Sequence, residues 1–298
     1  MSSNGIIQAY GQGLFRVEDS EQLREKYLQQ LKASEFNATI LFSVHVHDQG
    51  DLYYGDTKLV SDGVFEERLS YMRPLVAALK ETSEVWWGIG SAAAADFANI
   101  RKLLSTSFGT RILSTNFRAL LRAVPADGFD FDMEESWDAD MRSAITKLAL
   151  LLQQYNAGVS FCPYTAMTDW YACLADIYEK NGHRQIVRRL NLQCYDGGGD
   201  NTTKEWLDAL KSFPEDFGIP DINSFIVPGY WVCAAIDPQT KACVTQYSPD
   251  GICKVFSEPD LRQNAGGGFL WNTGAIFNSG SSFEDYSRAV INGLAGKC

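Results

Sequence analysis

The chain has 298 residues, of which 45% are hydrophobic and 21% charged, a composition typical of globular proteins with a full core. Its net charge of −11 disfavours nucleic acid or an anionic membrane as a partner and suits a neutral or cationic ligand. No stretch approaches the roughly 20 apolar residues of a membrane span, and no secretory signal is visible at the start. We expect no membrane partner, whereas secreted and cytoplasmic locations both stay open.

Strand-like and helix-like segments alternate along the whole chain. The strand-like runs are residues 5–11, 38–46, 84–90, 128–134, 158–164, 188–195, 224–232 and 267–273. Nearly every run is followed by a segment whose apolar residues have helical spacing. Eight such units predict one α/β domain over residues 1–298, a (β/α)8 TIM barrel, with a doubly wound open sheet as the alternative. No glycine-rich dinucleotide fingerprint follows the first strand, and no cofactor is expected.

Two insertions interrupt this repeat. Residues 47–63 have the turn signals of a hairpin after the second strand, and residues 233–265 form a long loop after the seventh. Both follow the carboxyl ends of strands, where barrels build their active sites. Cys233, Cys243 and Cys253 are evenly spaced in the second insertion and could include one disulfide; zinc is disfavoured because no histidine accompanies them.

The segment "DGFDFDMEE" (127–135) combines a row of carboxyls with a row of large apolar side chains. Alternate residues of a strand face opposite sides, so one row faces the helices and the other faces the barrel interior. The inward row is Asp130, Asp132 and Glu134. Crowded, desolvated carboxyls oppose one another's ionisation, so at least one should hold a proton near neutrality, as a general acid must. Glu134, at the carboxyl end of the strand, is the candidate acid.

A cation site and a solvated strand end are the alternatives for this segment. A calcium loop would need a glycine after the third acid, and "DFDMEESWD" has none there. We therefore expect no metal at these acids. His45 and His47 share one face of the second strand, a spacing that could bind zinc only with a third ligand; a cleft-lining or core role is favoured.

Residues 127–134 resemble the complete DGxDxDxE signature of the family-18 glycoside hydrolases, on the expected fourth strand. That family consists of (β/α)8 barrels and includes chitinases, endo-β-N-acetylglucosaminidases that act on N-glycans, and inactive lectin-like members. The start "IIQAYGQG", with Tyr10, is similar to the small hevamine-type chitinases. The third strand departs from the family pattern Ser-x-Gly-Gly, because it reads Gly88-Ile89-Gly90-Ser91, which leaves the role of Ser91 open.

Two further segments are similar to family motifs. "NLQCYDGG" on the sixth strand matches through Gln193, Tyr195 and Asp196, and "GGGFLWNTG" on the eighth carries the tryptophan that forms the floor of the site, here Trp271. The resemblance implies that Gln193, Asp196, Trp271 and Tyr10 bind substrate. Tyr164, at the end of the fifth strand, is a further candidate for a sugar subsite.

The resemblance also implies a substrate-assisted retaining mechanism, an exception among glycosidases. Glu134 would protonate the glycosidic oxygen while the 2-acetamido carbonyl of the sugar attacks the anomeric carbon. Asp132 would stabilise the acetamido N–H, Asp130 would share a proton with Asp132, and Tyr195 would hold the acetamido oxygen.

Three functions follow from this resemblance. The expected one is endo-acting hydrolysis of β-1,4-linked N-acetylglucosamine polymers (chitin) by a monomer. The second is cleavage of the chitobiose core of N-glycans, which would use the same acids. The third is a non-catalytic lectin that binds chitin or another glycan; it is disfavoured because such members often lose the terminal glutamate, and Glu134 is present.

Overall fold

Eight parallel strands close into a barrel in the computed structural model, which describes residues 5–92, 94–215, 217–237, 239–240 and 243–298. The strands within these residues are β1 (Ile6–Gln12), β2 (Ala38–Val46), β3 (Leu52–Tyr54), β4 (Thr57–Ser61), β5 (Val64–Phe65), β6 (Glu84–Gly90), β7 (Gly128–Asp132), β8 (Gly158–Phe161), β9 (Val187–Gln193), β10 (Ile226–Trp231), β11 (Cys233–Ile236), β12 (Cys243–Gln246) and β13 (Gly267–Trp271). The barrel runs in the order β1-β2-β6-β7-β8-β9-β10-β13, and β13 pairs with β1 to close it. The predicted (β/α)8 fold is confirmed.

Helices surround the barrel and connect its strands. They are α1 (Glu21–Lys32), α2 (Met72–Leu79), α3 (Asp96–Leu104), α4 (Ser107–Ala123), α5 (Ala139–Gln153), α6 (Met167–Lys180), α7 (Thr203–Ser212), α8 (Pro249–Phe256), α9 (Pro259–Asn264), α10 (Thr273–Asn278) and α11 (Phe283–Leu294). Short polar side chains fix several of the starts by accepting otherwise unpaired backbone N–H groups. Asp138, for example, accepts from the Met141 N–H at 2.7 Å at the start of α5. No helix of the described residues is long and apolar enough to cross a membrane.

The two faces of β7 separate as the alternation predicts. Phe129 and Phe131 are fully buried between the barrel and its helices, where their rings lie 5.3 Å from Phe117 and 5.8 Å from Phe97. Asp130 and the residues that follow it at every second position face the interior. The outward rings bury apolar area and hold the strand in place, so the inward carboxyls sit on a rigid element.

Large rings fill the lower part of the barrel interior, and glycines make room for them. A Cβ on Gly128 would lie 2.4 Å from the Trp86 ring, and one on Gly229 would lie 1.9 Å from the Phe269 ring. Trp86 and Phe269 are both fully buried. These rings close the lower part of the barrel. The side chains above them, at the carboxyl ends of the strands, form the floor of an open cavity.

Both predicted insertions contain regular structure. The first forms β3 and β4, which extend β2 as an antiparallel sheet, and β5 pairs with β4 just beyond the predicted bounds. The second contains the hairpin β11–β12 together with α8 and α9. Cys233 and Cys243 form the disulfide predicted among three cysteines, and it closes this hairpin. Cys253 pairs instead with Cys298, which ties the end of the chain to α8.

Candidate active site

A cavity of about 280 Å³ opens where the barrel strands end. Asp132 and Glu134 form one wall, and Phe42, Tyr195, Trp231 and Trp271 supply aromatic surface around it. The remaining lining residues are Gln12, Ser91, Ala92, Cys162, Gln193 and Asp196. A pocket with aromatic walls and a few carboxyls suits a ligand that has both apolar ring faces and polar groups, such as a sugar.

Asp130 lies beneath this cavity, fully buried, and accepts three hydrogen bonds. The Tyr10 hydroxyl donates to Oδ2 at 2.7 Å, while the Ser160 hydroxyl and the Asn191 amide donate to Oδ1 at 2.6 and 2.7 Å. Burial raises the pKa of the Asp130 carboxyl, and these three donors oppose that rise because they favour the ionised form. The three donors therefore hold the Asp130 carboxyl in a fixed orientation beneath Asp132.

Gln193 joins the two upper carboxyls. Its amide nitrogen lies 2.8 Å from Asp132 Oδ1, 3.3 Å from Glu134 Oε1 and 3.1 Å from the Cys162 carbonyl oxygen. Because one NH2 group contacts both carboxyls, their separation and orientation are fixed by a residue from a different strand, β9. Catalysis by acid groups requires that they are held in their reactive geometry before the substrate binds.

All three inward acids have a raised pKa. Burial raises the pKa of Asp132 well above its ordinary value, and repulsion from Glu134 and Asp130 raises it further. Burial also raises the pKa of the half-buried Glu134, with a further rise from the nearby negative charge of Asp196. The prediction that this row retains a proton agrees with these directions, because a raised pKa keeps a carboxyl protonated at higher pH.

The buried guanidinium of Arg189, at the bottom of the barrel, influences the pKa of Asp130. Arg189 is 4% exposed, donates to Glu84 at 3.0 Å, and lies 4.5 Å from the centre of the Trp86 ring. Its positive charge lowers the pKa of Asp130 and so opposes the effect of burial. Asp130 thus has an electrostatic reason to ionise before Asp132.

The aromatic residues that line the cavity form two pairs of contacting rings. Tyr195 and Trp231 have ring centres 4.3 Å apart, and Trp271 stands edge-on to Phe42 at 4.9 Å. Burial raises the pKa of the Tyr195 hydroxyl well above its ordinary value, so it remains a hydrogen-bond donor at neutral pH. Trp271 and Trp231 are partly exposed and present ring surface to the cavity.

The predicted site residues fall into three groups. Those that line the cavity are Asp132, Glu134, Gln193, Tyr195, Asp196 and Trp271. Tyr164 lies at its rim, partly exposed, where the charges of Glu134 and Asp196 raise the pKa of its phenol beyond the rise that burial causes. Asp130 and Tyr10 lie below the cavity floor.

Tyr10 lies outside the lining of the cavity, and the prediction that it binds substrate stays a prediction. Its side chain is 0% exposed, and its hydroxyl is bonded to Asp130. The Tyr10 ring also contacts the Trp271 ring, with ring centres 5.5 Å apart. Its contribution is to orient Asp130.

Sequence reasoning missed several residues of the site, above all Ser160, Asn191 and Cys162. Ser160 and Cys162 alternate on and just after β8 in the same way as the acids of β7, and the pairing of Asp130 with Ser160 places them side by side. Inward alternation was therefore a usable signal for Ser160. The open question about Ser91 is also answered: it lines the cavity rim, while Ser160 supplies the hydroxyl that bonds Asp130.

The two histidines of β2 have separate environments. His45 Nδ1 lies 2.8 Å from Asp96, whose hydrogen bond raises the pKa of the imidazole, and the His47 ring stacks on Tyr53 at 3.8 Å. Neither belongs to a group of three or more metal-binding side chains within the described part of the chain.

The barrel has the same fold as solved structures of glycoside hydrolase family 18. A fungal endo-β-N-acetylglucosaminidase of that family has a TM-score of 0.63 at 16% identity, with 97% of each chain covered. A chitinase of the family from Pseudoalteromonas aurantia has a TM-score of 0.62 at 13% identity, with 97% of this chain and 99% of that chain covered.

A chitinase-like agglutinin from Robinia pseudoacacia is similar to nearly the same degree. Its TM-score is 0.61 at 13% identity, with 95% of this chain and 98% of that chain covered. No profile of a known protein family matches the sequence, and no curated protein matches it. These similarities establish a shared fold over almost the whole chain, whereas hydrolases and an agglutinin both occur among the matched proteins.

Proposed function

We propose that this chain belongs to glycoside hydrolase family 18 and hydrolyses β-1,4-linked N-acetylglucosamine polymers internally, with chitin as the first substrate. The observation that carries the proposal is the arrangement of Asp130, Asp132 and Glu134. They occupy alternate positions from the buried part of β7 to just beyond its carboxyl end, and Gln193 bridges the upper two at 2.8 and 3.3 Å. The tryptophan floor and the DGxDxDxE signature of the sequence support the same proposal.

The acids reach the cavity from one side, which favours a nucleophile supplied by the substrate. Ordinary retaining glycosidases use two carboxyls about 5 Å apart that flank the sugar, one as acid and one as nucleophile. Here Asp132 and Glu134 come from one strand and share one amide partner. The 2-acetamido carbonyl of the bound sugar would attack the anomeric carbon and displace the leaving group.

Each residue has a role in this step that its surroundings support. Glu134, whose pKa is raised by burial, donates its proton to the glycosidic oxygen. Asp132 accepts the acetamido N–H and stabilises the positive charge that develops on the cyclic intermediate. The Tyr195 hydroxyl donates to the acetamido oxygen. Water then attacks the anomeric carbon and gives a proton to Glu134, while the bond between that carbon and the acetamido oxygen breaks and restores the acetamido group.

Cleavage of N-glycans is the second candidate, because the chitobiose core contains the same linkage between two N-acetylglucosamine units. The similarity to the fungal endo-β-N-acetylglucosaminidase supports this second candidate. A lectin function is the third candidate, and the similarity to the agglutinin supports it, whereas the presence of Glu134 argues against it.

An activity assay distinguishes these candidates. The intact chain and the Glu134→Gln variant are each tested for hydrolysis of chitin oligosaccharides and of a high-mannose glycoprotein. We expect the intact chain to cleave the oligosaccharides and Glu134→Gln to lose at least a hundredfold in kcat, in the range that general acids contribute. The variant should still bind the oligosaccharide, because glutamine retains the shape of the side chain. Cleavage of the glycoprotein alone would favour the second candidate, and cleavage of neither by the intact chain would refute hydrolysis.

A further inference from the structure

Three polar side chains outside the lining of the candidate active site form one hydrogen-bonded row. The Ser43 hydroxyl lies 3.1 Å from His45 Nε2, and His45 Nδ1 lies 2.8 Å from Asp96 Oδ2. Ser43 and His45 share one face of β2, and Asp96 is the first residue of α3. A hydroxyl, an imidazole and a carboxyl in this order can act as a nucleophile, its general base and the residue that orients the base.

The carboxyl of Asp96 determines which nitrogen of the neutral imidazole carries the proton. A carboxylate only accepts hydrogen bonds, so His45 Nδ1 donates to it. Nε2 then has a free lone pair, and the Ser43 hydroxyl donates to that nitrogen. The hydrogen bond with Asp96 also raises the pKa of His45, and the negative charges of Asp96 and Asp56 add to the rise while burial opposes it. His45 is therefore placed and strengthened as a base for Ser43.

Separate hydrogen bonds hold Asp96 in this orientation. Its other oxygen, Oδ1, accepts from the Val46 N–H at 2.7 Å, which ties the carboxyl to β2. The first turn of α3 is fixed as well, because Glu135 accepts from the Phe97 and Ala98 N–H groups at 2.7 and 2.8 Å. Strand and helix are thus joined at the point where the three side chains meet. A base and the residue that orients it need such rigid support.

Burial decreases along the row from the carboxyl to the imidazole. Asp96 is buried, the His45 side chain is 26% exposed, and Ser43 is 7% exposed. Because so little of Ser43 meets solvent, only a small group can reach its hydroxyl. Phe42, the residue before Ser43, lines the candidate active site, so the row lies close to that cavity without forming part of its lining.

We propose that Ser43, His45 and Asp96 form an ester-cleaving site separate from the candidate active site, with small acyl esters such as acetyl esters as its substrates. Ser43 is the nucleophile, His45 the general base and Asp96 the positioning residue. This inference goes beyond the proposed glycosidase function and does not depend on it, because it uses none of the acids of β7.

The reaction consists of two acyl transfers. The Ser43 oxygen attacks the carbonyl carbon of the ester while its proton passes to His45 Nε2. The bond from that carbon to the alcohol oxygen breaks, and the alcohol leaves with the proton from His45. Water then gives a proton to His45 and attacks the acyl group on Ser43. The acyl–serine bond breaks, the carboxylic acid leaves, and the Ser43 oxygen takes the proton back from His45.

Hydrolysis of p-nitrophenyl acetate tests the proposal, together with mass spectrometry of peptides from the acid-quenched intact chain. We expect an acetyl group on Ser43 and a rate that exceeds that of Ser43→Ala by about tenfold or more, since general bases contribute at least that much. His45→Gln should lose the same activity.

Asp96→Asn tests the positioning role through the pH profile. His45 must be neutral to act as a base, so the rate rises as the pH rises through the pKa of His45. Asp96 raises that pKa, and its replacement should therefore move the rise to lower pH. The rate on the plateau should also fall, because the asparagine amide can donate to Nδ1 and favour the tautomer whose proton is on Nε2. A lower plateau with an unmoved rise would refute the positioning role.

Two control variants separate this site from other sources of ester cleavage. His47→Gln is the matched control, because the His47 ring stacks on Tyr53, and its rate should not change. Glu134→Gln should also keep the ester rate. A loss in Glu134→Gln equal to that in Ser43→Ala would assign the cleavage to the candidate active site and overturn the proposal. Acetyl groups found only on residues other than Ser43 would overturn it as well, and this result needs no variant to fold.

Discussion

Glu134 is only half-buried, yet the pKa of its carboxyl is raised, and one of the causes lies outside the strand that carries it. Burial is the largest cause, and the negative charge of Asp196 on the loop after β9 is the next one that raises the pKa. Asp196 is exposed and accepts a hydrogen bond from the Gly197 N–H at 2.7 Å. An exposed charge can thus raise the pKa of the proposed acid without contacting it, through an interaction that salt screens.

Asp196→Asn should move the alkaline limb of the kcat/KM profile to lower pH. Glu134 must be protonated to donate, so activity falls as the pH rises through its pKa; loss of the neighbouring negative charge lowers that pKa and brings the fall earlier. The profile is measured on chitopentaose at low and high salt, and the shift should shrink at high salt. Asp200→Asn, an exposed carboxyl in the same loop, is the control. An unmoved limb, or equal shifts in both variants, would contradict this account.

Asp130 accepts a hydroxyl hydrogen bond from β8, whereas β6, the barrel strand on its other side, has a glycine beside it. Gly88 of β6 pairs beside Asp130, in the register where the pattern has serine, but a Cβ at Gly88 would lie 2.6 Å from the Phe42 ring. On the other side of β7, Ser160 of β8 pairs with Asp130 and donates to it at 2.6 Å. Of the two strands that flank Asp130, β8 therefore supplies the hydroxyl donor, and the Phe42 ring lies beside Gly88 of β6.

Ser160→Ala should move the acidic limb of the pH profile to higher pH and lower kcat by about tenfold, with little change in KM. The hydrogen bond from Ser160 favours the ionised form of Asp130, and a bond to a charged group contributes about 1.5–3 kcal/mol. Without it the pKa of Asp130 rises further, so the ionised form is lost at higher pH. Ser287→Ala removes an equally buried hydroxyl from α11 and should change neither limb. A fall in kcat without movement of the acidic limb would indicate a structural role instead.

The elements were largely predictable because their signals are local, whereas the contacts between them were not. Alternation along residues 128–134 correctly predicts which acids face inward. The bond from Ser160 depends on the register between β7 and β8, and the burial of Tyr10 depends on contacts such as that with the Trp271 ring. Neither property can be read from spacing in one segment. The pairing of Cys253 with Cys298 across 45 residues is likewise a tertiary contact without a local signal.

At the scale of the whole molecule, the barrel brings together segments from nearly the full length of the chain. The cavity combines Gln12 near one end with Trp271 near the other, and the closing pair of β1 with β13 makes them neighbours. The chain carries a net charge of −11, and three of the carboxyls counted in it, those of Asp132, Glu134 and Asp196, line the cavity. A cationic or neutral sugar is therefore not repelled on approach.

The central claim is that the substrate's own acetamido group is the nucleophile. The measurement that tests it most directly compares the hydrolysis rate of chitopentaose with that of the glucosamine pentamer, which lacks every acetyl group. The amines of that pentamer are positively charged and suit the acidic cavity, so weak binding would not by itself explain a low rate. We expect hydrolysis of chitopentaose and at least a thousandfold lower kcat for the glucosamine pentamer. Comparable kcat values for the two would contradict substrate-assisted catalysis and would require a carboxyl of the protein as the nucleophile.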